Sequence, residues 1–261
     1  MKFIVCLKQV PDTMDVKVDP VTKRIVREGV PSILNPYDYY ALEECLRLKE
    51  RYGGSTVAIS MGPPQAEAVL KEAISLGIDE AYLLSDMAFA GSDTLATSYT
   101  LAQAIRKIGD FSIILCGREA MDGSTGQVGP ELAEHLEIPV ITYVSKIINV
   151  NENQIECVRL LEDHYETLKS PIPVVITVIK EINEPRLPSL KGMLRAKKTQ
   201  IPVWTKQDIG GNDLQYGQDG SPTKVVEIWR PEIKKEGKIV KGEPEELAEA
   251  IYQELKKLGV A

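Results

Sequence analysis

The stretch Gly117-Arg118-Glu119-Ala120-Met121-Asp122-Gly123-Ser124-Thr125-Gly126-Gln127-Val128-Gly129-Pro130 carries the residue types that a phosphate group needs around it. Small residues let a backbone approach an anion closely, and amides near a helix start donate to its oxygens. Ser124, Thr125 and Gln127 add side-chain donors. The stretch follows the apolar run Ser112-Ile113-Ile114-Leu115-Cys116 and precedes a helical pattern over 130–136, with Pro130 suited to a first turn. In an open α/β sheet, ligands sit at loops leaving the carboxyl ends of strands. The spacing is neither GxGxxG nor a Walker loop, since no Gly-Lys-Ser/Thr occurs. A polar turn with several glycines has the same composition, so both readings fit these residues.

Two other loops are candidates for the same crevice: Cys6-Leu7-Lys8-Gln9-Val10-Pro11-Asp12 and Ser60-Met61-Gly62-Pro63. Lys8 is the obvious cation for a phosphate, and equally a solvated surface lysine. Asn35 precedes Pro36 at the start of a helical pattern, where an Asn side chain caps a helix readily. No catalytic constellation stands out. His135 and His164 lack a metal-ligand spacing and a nucleophile partner. Cys6, Cys45, Cys116 and Cys157 are scattered among apolar neighbours, with no Cys-x-x-Cys pair, and read as small buried hydrophobes of a reducing cytoplasm. A protein that binds a redox cofactor and leaves the chemistry to it fits this absence.

The elements that must position these loops follow from periodicity. Apolar strands are expected over Lys2–Leu7, 56–60, 81–84, 112–116 and 140–144, alternating with helices over Pro36–Tyr52, 65–76, 93–108 and 130–136. Ser92 or Asp93 is the expected cap of the third helix, and Gly77 the stop of the second. This rhythm implies an α/β fold, a doubly wound, mostly parallel, Rossmann-like sheet of the adenine-nucleotide-binding type. Strands apolar at every position are buried on both faces. The pattern then changes to an expected antiparallel hairpin over Gln154–Leu160 and 165–168, and a further apolar strand over 174–179. Domain 1–184 is therefore expected to bind nucleotide. Residues 185–261 lose periodicity until an amphipathic helix over 243–258, and read as an extended C-terminal arm. Trp204 and Trp229 in that arm favour packing against a partner chain.

The bulk numbers bound the rest. The 261 residues carry a net charge of −7, which disfavours nucleic acid as a partner. No run approaches the ~18 consecutive apolar residues of a membrane span. The short apolar start reads as a strand, not a targeting segment, so a cytoplasmic location is expected.

The segments CLKQVPD, LNPYDYYALEE, ISMGPPQAEAVLKEAISLGIDEAYLL, GREAMDGSTGQVGPELAEHL, EDHYETLKSPIPVVIT and KEINEPRLPSLKGMLRAKK resemble the beta subunit of electron-transfer flavoprotein and the related FixA proteins along nearly the whole chain. The region from 158 to 177 is similar to the family's signature, departing from it at His164, with Cys157 just before it. The resemblance implies an alpha subunit carrying one FAD and an adenine nucleotide on this subunit. That nucleotide is AMP in simple carriers and a second FAD in electron-bifurcating members. Carried over, Cys6, Asn35, Met61 and the loop from Gly117 to Val128 form the pocket, and Leu190 is the apolar anchor of a recognition loop, followed by basic Lys197 and Lys198. Carriers that hold AMP tend to have an acidic run where this chain reads Gly123-Ser124-Thr125, so FAD is the favoured cofactor. The implied donor is NADH, and the implied acceptors are ferredoxin or flavodoxin and an acyl-CoA or hydroxy-acid dehydrogenase. Rivals are a carrier with structural AMP, a stand-alone nucleotide-binding α/β protein, and a nucleotide hydrolase on the same sheet.

Overall fold

The computed structural model describes residues 1–12, 31–226, 237 and 239–260. Met1–Val226 form one compact unit and Glu227–Ala261 a second.

The first unit is built on a nine-stranded sheet. In chain order its elements are β1 (Lys2–Leu7), β2 (Gln9–Pro11), β3 (Ser32–Leu34), α1 (Pro36–Tyr52), β4 (Ser55–Met61), α2 (Glu67–Leu76), β5 (Glu80–Leu84), α3 (Thr94–Ile108), β6 (Ile113–Gly117) and α4 (Val128–Leu136). Next come β7 (Val140–Val150), β8 (Gln154–Leu160), β9 (Tyr165–Pro171), β10 (Val174–Val178), α5 (Leu190–Lys198), β11 (Val203–Trp204) and α6 (Lys206–Ile209). The order across the sheet is β11-β5-β4-β1-β6-β10-β7-β8-β9. Strands β11 to β7 pair in parallel, and β8 and β9 add an antiparallel hairpin to the far end of β7. The chain builds outward from β1 to β4 and β5, then crosses back through α3 to β6 on the other side of β1. The direction of winding reverses between β1 and β6, and such a reversal opens a crevice at the carboxyl ends of the strands.

Alternation along the strands divides the core in two. Phe3, Val5 and Leu7 pack with Leu42, Leu70 and Ile74 on the α1/α2 face. Ile4 and Cys6 pack with Leu101, Ile105 and Leu132 on the α3/α4 face. Every residue of β10 is buried, as a strand covered on both faces requires. All four cysteines are buried and free.

The expected hairpin is present, but its partner strand β7 runs on to Val150, so three strands form the antiparallel end. The helix expected from 130 begins at Val128, because Pro130 needs no hydrogen-bonded amide anywhere in a first turn. The expected helix over 65–76 is a short 3₁₀ turn followed by α2, and Gly77 (φ 127°) ends it as anticipated. Two short strands, β2 and β3, were not foreseen. They pair antiparallel and steer the chain from β1 into α1.

Residues 185–226, read from the sequence as the start of an arm, pack on this unit. Helix α5 lies on α2, and β11 extends the sheet beyond β5. Trp204 stacks on Tyr82 at 4.1 Å, with Lys107 Nζ 4.6 Å over its ring. Trp229 lies outside the described residues. In the second unit, α7 (Pro244–Lys257) starts with a capping box between Glu243 and Glu246 and has Pro244 in its first turn. No helix among the described residues is long and apolar enough to cross a membrane.

Candidate functional site

The crevice floor is the ends of β1 and β6. These neighbours pair in parallel, the Cys6 and Cys116 side chains meet beyond the last pair, and Gly117 ends β6 at the rim. Gly117 has to be glycine for a packing reason. A Cβ there would lie 2.4 Å from Asp38 Oδ1 and 2.8 Å from the Tyr37 carbonyl carbon, so α1 could not approach β6. Gly129 plays the same part for α4, where a Cβ would lie 2.4 Å from Thr177 Cγ2.

Asn35 does not cap α1. It stitches the crevice together instead. Its Nδ2 donates to Asp38 Oδ1 (2.9 Å) and to the Glu119 carbonyl (2.8 Å), and its Oδ1 accepts from the Met121 amide (3.0 Å). Asp38 Oδ2 accepts from the Lys8 amide at 2.7 Å. Burial pushes the Asp38 carboxyl up to about 7, against the pull of hydrogen bonds from Asn35 and from the Lys8 and Gly117 amides. One buried amide and one buried acid thus fix the loops after β1 and β6 relative to α1.

The loop after β6 turns twice through left-handed backbone, at Ser124 (φ 48°) and Gly126 (φ 64°). The Gly123 and Ser124 amides are spent on the Ala120 carbonyl. Among the described residues, the amides of Thr125, Gly126 and Gln127 find no protein acceptor. The first-turn amides of α4 have none within the helix either, and Pro130 carries no N–H. Free donors therefore gather between Thr125 and Gly129, where the α4 dipole favours an anion. Lys8 Nζ lies 2.6 Å from Asp122 Oδ1 at the same loop. Arg118 pairs with Glu119 (2.6 Å) and lies over the rings of Tyr37 and Tyr143, with centroid distances of 5.3 and 6.0 Å.

The opposite wall is the loop from 85 to 94, between β5 and α3, and sequence reasoning missed it. Asp93 caps α3 through the Ala96 amide (3.1 Å) and also accepts from the Thr223 amide and hydroxyl (3.0 and 2.8 Å). Asp86 accepts from the amides of Ala88 and Lys206, both at 3.0 Å. Burial alone would raise Asp93, but the donors from Thr223 and Ala96 hold it below the usual carboxylate range. The rule that ligands sit beyond the carboxyl ends of strands could have found this loop, since β5 is one of those strands.

These pieces enclose one cavity of about 1020 Å³, at the upper end of the range for small-molecule sites. Of the residues singled out from the sequence, Cys6, Asn35, Met61, Gly117, Arg118, Glu119, Ala120, Gly123, Thr125, Gly126, Gln127 and Val128 line it, together with Lys8. Met121, Asp122 and Ser124 belong to the same loop but do not line the cavity. Asp38, Phe89 and Thr97 line the cavity and were not singled out. Leu190 opens α5, away from this cavity, and is 71% exposed. No group of three or more His, Cys, Asp or Glu residues among those described is arranged to hold a metal. The donor set suits a nucleotide's phosphates.

Comparison with known proteins identifies the family. The model of the electron transfer flavoprotein domain family matches residues 22–209. The electron transfer flavoprotein subunit beta of Thermoanaerobacterium thermosaccharolyticum is 47% identical over 256 residues, covering 98% of each chain. The caffeyl-CoA reductase-Etf complex subunit CarD of Acetobacterium woodii is 44% identical over 258 residues, again covering 98% of each chain. Protein FixA of Azotobacter vinelandii is 42% identical over 265 residues, covering 98% of this chain and 94% of its own. With these matches over nearly the whole chain, the protein belongs to the electron transfer flavoprotein family as a beta subunit related to FixA.

Proposed function

We propose that the crevice holds FAD, and that with an FAD-bearing alpha subunit the pair divides the electrons of NADH between ferredoxin or flavodoxin and a dehydrogenase. The observation that carries the reading is the continuity of the cavity. It runs from the 85–94 wall past Lys8 to the free amides of Thr125–Gln127, and no carboxylate stands between Gly123 and Val128. A pyrophosphate needs room and several uncharged donors, and this loop supplies both. When bound, the flavin would supply hydride acceptance and delivery of single electrons. The chain's own residues bind and orient: the Thr125–Gly129 amides take the phosphates, Lys8, which lines the cavity and pairs with Asp122, is the cation they share, and Asn35 and Asp38 hold the cradle in shape. One relative, named as a subunit of a caffeyl-CoA reductase-Etf complex, favours an acyl-CoA dehydrogenase or reductase as the partner. The amphipathic helix α7 then packs on the alpha subunit, and the whole works in the cytoplasm.

Flavin stoichiometry of the purified two-subunit complex is the test. Two flavins per heterodimer are expected; one flavin plus AMP would replace this reading with that of a simple carrier. A flavin-free, monomeric subunit would point to a stand-alone nucleotide-binding protein. Thr125→Glu brings a carboxylate against the phosphates, and Coulomb repulsion at such range lowers cofactor retention by at least about tenfold. Full flavin occupancy in that variant would remove the phosphate assignment. Leu190→Ala is expected to raise the KM for the dehydrogenase about tenfold with flavin content unchanged, as loss of an exposed apolar anchor does. Steady-state kinetics at varied dehydrogenase concentration check it.

A further inference from the structure

The bend that carries the exposed leucines is fixed at both ends, and one of its anchors is an ion-pair cluster with no part in the nucleotide crevice. On the incoming side, three contacts tie residues 183 and 184 to two turns of α1. Asn183 Nδ2 donates to the Tyr40 carbonyl and to Glu44 Oε2, both at 3.0 Å, and Arg47 donates to the Glu184 carbonyl at 3.1 Å. Arg186 grips Glu43 through its own amide (3.2 Å), Nε (2.8 Å) and Nη2 (3.1 Å), and reaches Glu50 Oε2 at 3.0 Å. The Glu43 side chain is only 4% exposed. On the outgoing side, α5 presses on the end of α2, where a Cβ on Gly192 would lie 1.9 Å from the Ser75 carbonyl oxygen. Arg195 donates to the Asp79 carbonyl at 2.7 Å. Between the two anchors, Leu187 and Leu190 stand 89% and 71% exposed.

Two apolar side chains held in water on a short bend with clamped ends are a preorganised contact. Ordering that bend on binding would otherwise subtract from affinity. A planar guanidinium meeting two carboxylates is the clamp that holds a backbone in one place, because its forked donors fix direction as well as distance. Burial alone would raise Glu43, but Arg186 and Arg47 hold it below the usual carboxylate range, so the clamp stays charged at neutral pH.

We infer that Arg186 is a positioning residue for docking: by clamping residues 183–186 to α1 it presents Leu187 and Leu190 together as a two-leucine anchor for an apolar pocket on the partner dehydrogenase. The inference rests on the docking role proposed for Leu190 and adds Leu187 and the clamp to it.

The test is a double-mutant cycle on the flavin-loaded two-subunit complex, reading the KM for the dehydrogenase. Arg186→Gln is expected to raise KM about tenfold in the natural background, with flavin content and the rate of flavin reduction by NADH unchanged. In a Leu187→Ala/Leu190→Ala background the same change is expected to move KM less than about twofold, because the groups that the clamp presents are gone. Glu50→Gln removes only the solvent-exposed half of the clamp. It keeps the buried Glu43 pair, so it serves where Arg186→Gln fails to fold, and it is expected to raise KM about threefold. If KM stays unchanged in Arg186→Gln or Glu50→Gln while the double leucine variant raises it, the clamp inference falls and the docking role stands. If the leucine variant itself leaves KM unchanged, the docking role falls and the inference with it. An equal fold-change in both backgrounds would make Arg186 a structural residue only.

Discussion

Gly117→Ala will remove about 2–3 kcal/mol of stability from this subunit and most of its hold on a nucleotide, as overpacking a closed core does, whereas Gly123→Ala in the same loop will change stability little. The contrast lies in what each new methyl meets. At Gly117 it meets Asp38 Oδ1 at 2.4 Å and the Tyr37 carbonyl oxygen at 2.9 Å, and the latter is backbone of α1 that cannot rotate away. At Gly123 nothing lies within 4 Å. Relief at Gly117 requires α1 to slide off β6. That motion breaks the bonds from Asn35 to the Glu119 carbonyl and from the Met121 amide, so the cradle loses its shape along with the core. Urea unfolding of the two variants, with flavin content of each purified complex, measures both effects. Equal stability of Gly117→Ala and the natural protein would mean that α1 and β6 are not held as closely as described.

The same residues show which parts of the molecule were legible in the sequence. The parallel strands and their helices were, because Phe3-Ile4-Val5, Val57-Ala58-Ile59 and Ile113-Ile114-Leu115 are buried on both faces and leave apolar runs that no surface strand would tolerate. The glycine-rich loop was legible as a loop leaving an apolar strand, while its composition fitted a phosphate cradle and a plain polar turn equally. What stayed hidden depends on partners far away in the chain. Asp93 looks like an ordinary helix cap, and only Thr223, folded back from the end of the unit, makes it an anchor of the second wall. Asp38 looks like one more acid in a first helical turn, and only the approach of Lys8 and Gly117 buries it. Asn35 fits a helix cap and a pocket residue alike in the sequence; only the fold places the Glu119 carbonyl within reach of its side chain. The two-strand ladder of β2 and β3 was invisible because three residues hold no period.

Asp38→Asn will change the pH dependence of stability, and its effect is large because the group is buried. The carboxyl is raised from 3.8 to about 7, so between those values the folded subunit binds the proton more tightly than the unfolded chain does. Stability from this group is therefore complete below the unfolded value and is lost as pH rises through about 7. The whole shift corresponds to up to roughly 4 kcal/mol, at about 1.4 kcal/mol per unit. The amide cannot ionise, so the stability of the natural protein relative to Asp38→Asn should fall by that order between pH 4 and pH 8 in the nucleotide-free subunit. Taking the difference between the two proteins removes the opposite trend from Asp79, Asp86 and Asp93, whose carboxyls lie below the usual range and lose stability as pH falls. Urea unfolding at several pH values checks it, and parallel profiles would show that Asp38 is already ionised at acid pH. The sign carries into binding. A phosphate arriving over the cradle adds negative charge near Asp38 and favours its protonated form, so nucleotide binding near neutral pH should take up a proton. Calorimetry in buffers of different ionisation enthalpy reads that uptake, and its absence in Asp38→Asn would assign the proton to this carboxyl.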